Sequence, residues 1–310
     1  MKAVTIHTYG SADELIYEDV QDPQIKPDDV LIKVYATSIN PIDWKVRGGG
    51  YPGSDQRAFP LILGWDVSGV ITELGEEVTG FKVGDEVFAR PDTKRPGTYA
   101  EYVAVNFKEI GLKPKSIEHN HAAAVPLAGL TAWQGIFDHG KLEAGQKILI
   151  HAAAGGVGTF AVQLAKWKGA YVIGTASEEN RDFLMELGAD EVIDYKKEDF
   201  SAKLKDLDVV FDLLGGEVQL KSLEVLKPGG ILVSTVGIKD EAAVKAKGIT
   251  GVKYMAQSTT ENLNQLAALI DEGKLKPVIA QILPLEQAKE AHKKSEEGHT
   301  KGKIVLNVVA

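Results

Sequence analysis

One segment constrains the fold more than any other. The apolar run Lys147-Ile148-Leu149-Ile150-His151 passes into Ala152-Ala153-Ala154-Gly155-Gly156-Val157-Gly158, and apolar residues then recur at helical spacing at Phe160, Ala161, Leu164, Ala165 and Trp167. A strand, a glycine-rich turn and a helix in immediate succession open a βαβ unit. The alternation repeats downstream. Strands are predicted at 171–175, 191–194, 209–212 and 231–235. Helices are predicted at 179–187, ending on Gly188, and at 218–226, stopped by Lys227-Pro228-Gly229-Gly230. Repeated βα units of this size build a doubly wound parallel sheet.

The turn itself reads Ala153-x-Gly155-x-x-Gly158. Gly155, with Gly156 beside it, lets a pyrophosphate approach the backbone. Gly158 lets helix and strand pack closely, and the helix N-terminus, from Gly156 and Val157 onward, offers free N–H groups to phosphate oxygens. Alanine at the first position departs from the usual three-glycine pattern but is small enough for the turn. An acidic residue about 20 positions on would mark an NAD ribose. Here the second strand ends in Ala176-Ser177, with Arg181 and Tyr195 following. A hydroxyl, a guanidinium and a phenol suit a 2′-phosphate and favour NADPH. Ser177 also reads as a helix N-cap, and Glu178 would be the competing ribose acid. Gly215, in Phe211-Asp212-Leu213-Leu214-Gly215-Gly216, falls at a strand's C-terminal end, where ligands of α/β folds bind.

Upstream, residues 30–36, 61–63, 67–71 and 81–88 read as short strands among glycines and prolines, which suggests a compact β domain. Helix is expected over 122–130 and 130–140, helix again over 261–272 ending at Gly273, and a final strand over 303–308. The 310 residues suggest about two domains. There is no cysteine, so disulfides, iron–sulfur clusters, thiolate zinc sites and a cysteine nucleophile are excluded. Lys and Arg total 35 against 44 Asp and Glu, and a net charge of −9 disfavours a nucleic-acid partner. Apolar runs are strand-sized, so no membrane span is expected and a cytoplasmic protein is the default.

Motifs along nearly the whole chain resemble the medium-chain dehydrogenase/reductase superfamily, in its zinc-independent quinone oxidoreductase (zeta-crystallin-like) branch. They include Ser38-Ile39-Asn40-Pro41-Ile42-Asp43-Trp44-Lys45, Leu63-Gly64-Trp65-Asp66-Val67-Ser68-Gly69, Val83-Gly84-Asp85-Glu86-Val87 and Gly97-Thr98-Tyr99-Ala100-Glu101-Tyr102. Pro126-Leu127-Ala128-Gly129-Leu130-Thr131-Ala132, Ala154-Gly155-Gly156-Val157-Gly158, Ile193-Asp194-Tyr195 and Gly302-Lys303-Ile304-Val305-Leu306 continue the series. The resemblance implies an α/β chain: a Rossmann doubly wound sheet at 125–258 that binds NADPH, and a GroES-like β-barrel catalytic domain at 1–124 completed by 259–310.

Zinc-dependent relatives carry a cysteine where this chain has Asn40, and Gly-His-Glu where it has Gly64-Trp65-Asp66. No metal site is therefore expected. By resemblance Asn40 sits beside the nicotinamide and would bond the acceptor's oxygen, although an Asn before Pro41 is also an ordinary turn residue. Lys45 and Tyr51 fall where bacterial quinone reductases often have tyrosine. Lys45 resembles the plant alkenal and enone reductases and would stabilise an enolate. Both also read as surface or loop residues. Thr131 resembles a threonine that contacts the nicotinamide, and Gly48-Gly49-Gly50 suggests a mobile gate. The seven histidines show no metal spacing and read as structural or exposed.

The function implied is hydride transfer from NADPH to a quinone or an α,β-unsaturated carbonyl. Enoyl-thioester reduction is an alternative, as is a non-catalytic NADPH-binding protein with an RNA-binding or structural role. A homodimer is implied through an edge strand at 253–258.

Overall fold

The computed structural model describes residues 1–309. The chain forms two compact units, residues 131–257 and residues 1–130 with 258–310. These boundaries differ slightly from the expected 124/125 and 258/259. Residues 125–130 belong to the first unit because Leu127 donates its N–H to Asp66 Oδ1 at 2.7 Å, and Val125 and Leu130 are fully buried.

The unit 131–257 is a parallel sheet. Its spatial order is Glu191–Asp194, Tyr171–Ala176, Lys147–Ile150, Leu207–Asp212, Leu226–Ser234, Thr250–Lys253. In chain order that is third, second, first, fourth, fifth, sixth, with the reversal point beside Lys147–Ile150, where dinucleotides bind in doubly wound folds. Ile148, Leu149, Ile150, Val172, Val209, Val210 and Leu232 are buried. Such near-continuous apolar strands belong to a sheet covered on both faces. The helix after the glycine turn is Gly156–Lys168, longer than the apolar spacing alone indicated.

Three expectations are corrected here. The helix expected over 218–226 is Gly216–Ser222, and Lys227–Gly230 belongs to the strand Leu226–Ser234. The register jumps from Leu207↔Leu226 to Val209↔Ile231, so the Pro-Gly-Gly stretch bulges out instead of ending an element. The helix expected over 179–187 is a 3-10 turn, Glu178–Asn180, followed by Arg181–Glu186. The edge strand is Thr250–Lys253, not 253–258.

In the other unit the ten-residue strand Asp29–Ser38 organises the barrel. It pairs antiparallel with Val67–Leu74, Tyr102–Asn106 and the C-terminal Lys303–Asn307. Ile279–Pro284 then adds in parallel to Lys303–Asn307, so the end of the chain completes this sheet. Of the strand expected at 81–88, only Glu86–Ala89 forms; Gly84 (φ +91°) turns the chain just before it. The helix expected over 122–140 is divided into His119–Ala123, Pro126–Trp133 and a π-helical stretch, Gln134–His139. Pro126 lacks the N–H that would continue the first piece and starts the second.

Candidate active site

In the parallel-sheet unit, Gly158 is buried at the foot of its helix. A Cβ there would lie 2.3 Å from Ala152 O and 2.6 Å from Ala153 O, so only glycine permits this packing. Gly155 is the N-cap at φ −78°, and its N–H closes a turn onto Ala152 O at 3.0 Å. A Cβ on Gly155 would meet only Ala152 O, at 3.3 Å. Its freedom therefore serves something other than the chain's own packing. Gly156 and Val157 are half-buried at the helix's first turn, whose N–H groups have no partner within the helix. A phosphate fits this cradle.

Ser177 and Tyr195 directly follow the carboxyl ends of two adjoining strands, Tyr171–Ala176 and Glu191–Asp194, and Arg181 reaches the second of these. Tyr195 donates its N–H to Ala176 O at 3.2 Å, and its ring is exposed. Ser177 donates to Glu179 Oε1 at 2.8 Å. Arg181 makes a two-point contact with Glu178, Nε to Oε1 at 2.7 Å and Nη2 to Oε2 at 3.1 Å, and Nη1 donates to Val192 O at 2.6 Å. Glu178, the competing ribose acid, is thus the partner of Arg181. Gly215, at φ +71°, follows Leu207–Asp212 and donates its N–H to Asp212 Oδ1 at 2.8 Å. Thr131 is buried, and its carbonyl accepts from the Tyr254 hydroxyl at 2.5 Å. His151 is locked between Thr175 Oγ1 (3.1 Å) and Ser222 Oγ (2.8 Å), and burial pushes its pKa down to about 4.

The barrel unit holds a buried polar network that the sequence did not reveal. Lys303, 4% exposed, donates its ammonium to Ile39 O at 2.7 Å and to Asn40 Oδ1, with Asp66 Oδ2 at 3.3 Å. Asp66 Oδ2 also accepts from Ser38 Oγ (2.6 Å) and Asn40 Nδ2 (2.7 Å). The second bond from Asn40 Nδ2, to Ser38 O, is long at 3.4 Å, so one N–H of this amide is weakly held. Asn40 is also the N-cap of Pro41–Arg47, where its backbone N–H donates to Asp43 Oδ2 at 2.8 Å.

From Asp43 the network continues through Tyr99 and His292 to Arg47, and chemistry fixes every donor. Arginine only donates, so Arg47 Nη1 gives its proton to His292 Nδ1 at 2.8 Å. The imidazole is then the Nε2–H tautomer and donates to the Tyr99 hydroxyl at 3.1 Å. That hydroxyl donates to Asp43 Oδ2 at 2.6 Å. Arg47 Nη2 ends the chain on Glu296 at 2.7 Å. Burial, reinforced by the Arg47 charge, pushes the His292 pKa down to about 3. Burial pushes the Asp43 pKa up to about 7, against the bonds from Tyr99 and Asn40.

Of the other two catalytic candidates, Lys45 is exposed on Pro41–Arg47, with Nζ 5.5 Å from the centre of the Trp44 ring. Tyr51 is half-buried and packs against the barrel core that contains Leu63, Trp65 and Tyr99.

A parallel sheet with this strand order and glycine cradle, carried in one chain with a β-barrel closed by its own C-terminal strand, defines a dinucleotide-dependent oxidoreductase. Residues 26–115 match the alcohol dehydrogenase GroES-like domain, and residues 187–306 match the zinc-binding dehydrogenase family. The chain is 37% identical over its whole length to the mitochondrial NAD(P)H oxidoreductase RTN4IP1 of Bos taurus, covering 89% of that protein. It is also 37% identical, over 99% of its length, to the chloroplastic NADPH-dependent alkenal/one oxidoreductase of Arabidopsis thaliana, covering 79% of it. The solved quinone oxidoreductase of Coxiella burnetii superposes with a TM-score of 0.95 at 38% identity, covering 100% of this chain and 99% of that one. The protein belongs to the medium-chain dehydrogenase/reductase superfamily, in its quinone oxidoreductase branch.

The zinc in the name of one matching family does not fit these residues. The Trp65 indole has no lone pair to give a metal, and the Lys303 ammonium already takes up Asn40 Oδ1 and sits against Asp66. Among the described residues no cluster of three or more His, Asp or Glu could hold a metal ion.

Proposed function

We propose that this protein is an NADPH-dependent oxidoreductase that reduces quinones and α,β-unsaturated carbonyls without a metal. When bound, NADPH supplies the hydride. The glycine cradle holds its phosphates, and Ser177, Arg181 and Tyr195 surround the 2′-phosphate, for which Arg181 must exchange part of its contact with Glu178. Thr131 and Gly215 border the nicotinamide and its ribose.

The observation that carries the reading is the Lys303 seat. A fixed ammonium takes up Asn40 Oδ1 and sits against Asp66 and Ile39 O, so these groups are not free to hold the Lewis acid that oxidising an alcohol would need. Acceptors that take hydride at carbon and place negative charge on a distant oxygen need only orientation, a hydrogen-bond donor and a proton. The weakly held N–H of Asn40 is the donor, and Lys45 and Tyr51 border the acceptor. The names of the alkenal/one and quinone oxidoreductase relatives support the substrate class.

The same reading takes the enzyme to be a cytoplasmic homodimer joined along the sheet edge Thr250–Lys253, which light scattering would test. No helix among the described residues is long and apolar enough to cross a membrane. The decisive experiment follows NADPH absorbance with phenanthrenequinone and a panel of simple alkenones. Consumption with at least one supports the proposal, and none with any of them refutes it.

A further inference from the structure

Two arginines of the barrel unit have a guanidinium nitrogen buried without a hydrogen-bond partner. Arg90 directly follows the strand Glu86–Ala89 and is 7% exposed. Its Nε is buried without a hydrogen-bond partner, and so is the Nε of half-buried Arg57. Among the described residues no carboxylate lies within ion-pair distance of either guanidinium; Arg57 instead sits 5.4 Å above the centre of the Trp65 ring. A guanidinium cannot escape burial by losing its proton, so an unpaired one in the interior is costly unless a ligand completes it.

The surroundings hold further donors without partners. Val67 pairs with Ala89, so Arg90 emerges opposite Asp66, next to Trp65. The Trp65 Nε1–H and the Ser54 hydroxyl are likewise buried without partners. Arg57 covers the Trp65 ring and Arg90 emerges beside that residue, so both side chains lie on the same part of the barrel. The nearby carboxylates each accept hydrogen bonds from other groups and form no ion pair with either arginine. Asp66 is bonded to Lys303, Ser38, Asn40 and Leu127; Asp92 accepts from the Lys94 N–H, and Glu109 from the Asp92 N–H.

We propose that Arg90, supported by Arg57, is a carboxylate-recognition site, and that the preferred acceptor is an α,β-unsaturated ketone bearing a carboxylate. This rests on the reductase reading above and narrows its substrate class. A planar guanidinium fork matches a carboxylate with two parallel bonds, and the orphan Trp65 N–H belongs to the ring that Arg57 covers.

The test compares trans-β-acetylacrylate with its methyl ester, the same enone with the charge removed. The wild-type enzyme is expected to favour the acid in kcat/KM by at least about tenfold. In Arg90→Met the acid-to-ester ratio falls at least about tenfold, mainly through KM for the acid, and Arg90→Lys restores part of it. Arg57→Met lowers the ratio less; it is the second variant should Arg90→Met not fold. An unchanged ratio in both Met variants overturns the proposal. So does a parallel rise in KM for NADPH, acid and ester, which would assign the arginines to the cofactor's phosphates. If neither acceptor is reduced and the quinone and alkenone panel is also inert, the reductase reading fails; in either case calorimetric titration with levulinate then decides the site separately. Binding to wild type that is lost in Arg90→Met supports it, and absence of binding to wild type refutes it.

Discussion

Gly155 and Gly158 lie one helical turn apart, and substituting each in turn separates folding from cofactor binding. A methyl group on Gly158 would stand 2.3 Å and 2.6 Å from two backbone carbonyl oxygens, against an ordinary contact distance of 3.4 Å or more. Neither oxygen can rotate away, so the helix start or the turn must move by about an ångström. Overpacking of this kind costs about 1–3 kcal/mol. The better helix propensity of alanine returns at most about 1 kcal/mol of that. Gly155→Ala is different. Its φ of −78° suits any residue, and its Cβ meets one oxygen at 3.3 Å, so stability should change by less than about 0.5 kcal/mol. If phosphates approach there, however, that methyl group displaces them from the helix N-terminus. Loss of one charge-assisted hydrogen bond, about 1.5–3 kcal/mol, weakens NADPH roughly tenfold to a hundredfold. Denaturant unfolding followed by circular dichroism gives the first quantity, and titration of nicotinamide fluorescence gives the second. Gly155→Ala binding NADPH as tightly as wild type would refute the placement of the phosphates.

Three further perturbations test the rest of the account. Lys303→Met leaves the fully buried Asp66 without its countercharge and should destabilise by about 3–5 kcal/mol, with Lys303→Met/Asp66→Asn recovering part of the loss in urea unfolding. A change below about 1 kcal/mol in the single variant would contradict the seat. The lowered pKa of His292 makes stability fall as pH drops from about 6.5, whereas the raised pKa of Asp43 makes it fall as pH climbs from about 4 to 7, so the two oppose. Asp43→Asn keeps an oxygen for Tyr99 and Asn40 but removes the opposing proton. Unfolding free energy should then rise more steeply with pH, by about 1.4 kcal/mol per unit between roughly pH 4 and 6.5; an unaltered slope would show that Asp43 is not protonated in the fold. Arg181→Ala should raise the Kd for NADPH far more than for NADH, and equal losses would show that Arg181 does not read the 2′-phosphate.

The parallel sheet was legible because its signals are local. Apolar runs, a glycine turn and Gly188 at a helix C-terminus, at φ +108°, all act within a few residues. Lys227-Pro228-Gly229-Gly230 misled for the same reason. Local propensity reads it as a stop, while pairing with Leu207–Asp212 carries the strand through a bulge. Asn40 was legible only through the motif around it. Its partner Lys303 lies 263 residues away, and Arg47 and Glu296 lie 249 apart, separations at which no periodicity points to a contact. In the sequence His292 reads as structural or exposed, because no metal partner stands near it. It is structural, and what defines it is burial against Arg47 and Tyr99.

The central claim is hydride transfer from NADPH to an electron-poor carbon without a metal. Its most direct measurement is NADPH consumption with phenanthrenequinone and with an alkenone, before and after exhaustive chelation. The expected result is turnover that chelation leaves unchanged. Activity lost on chelation and restored by zinc, or no turnover with either acceptor, would contradict it.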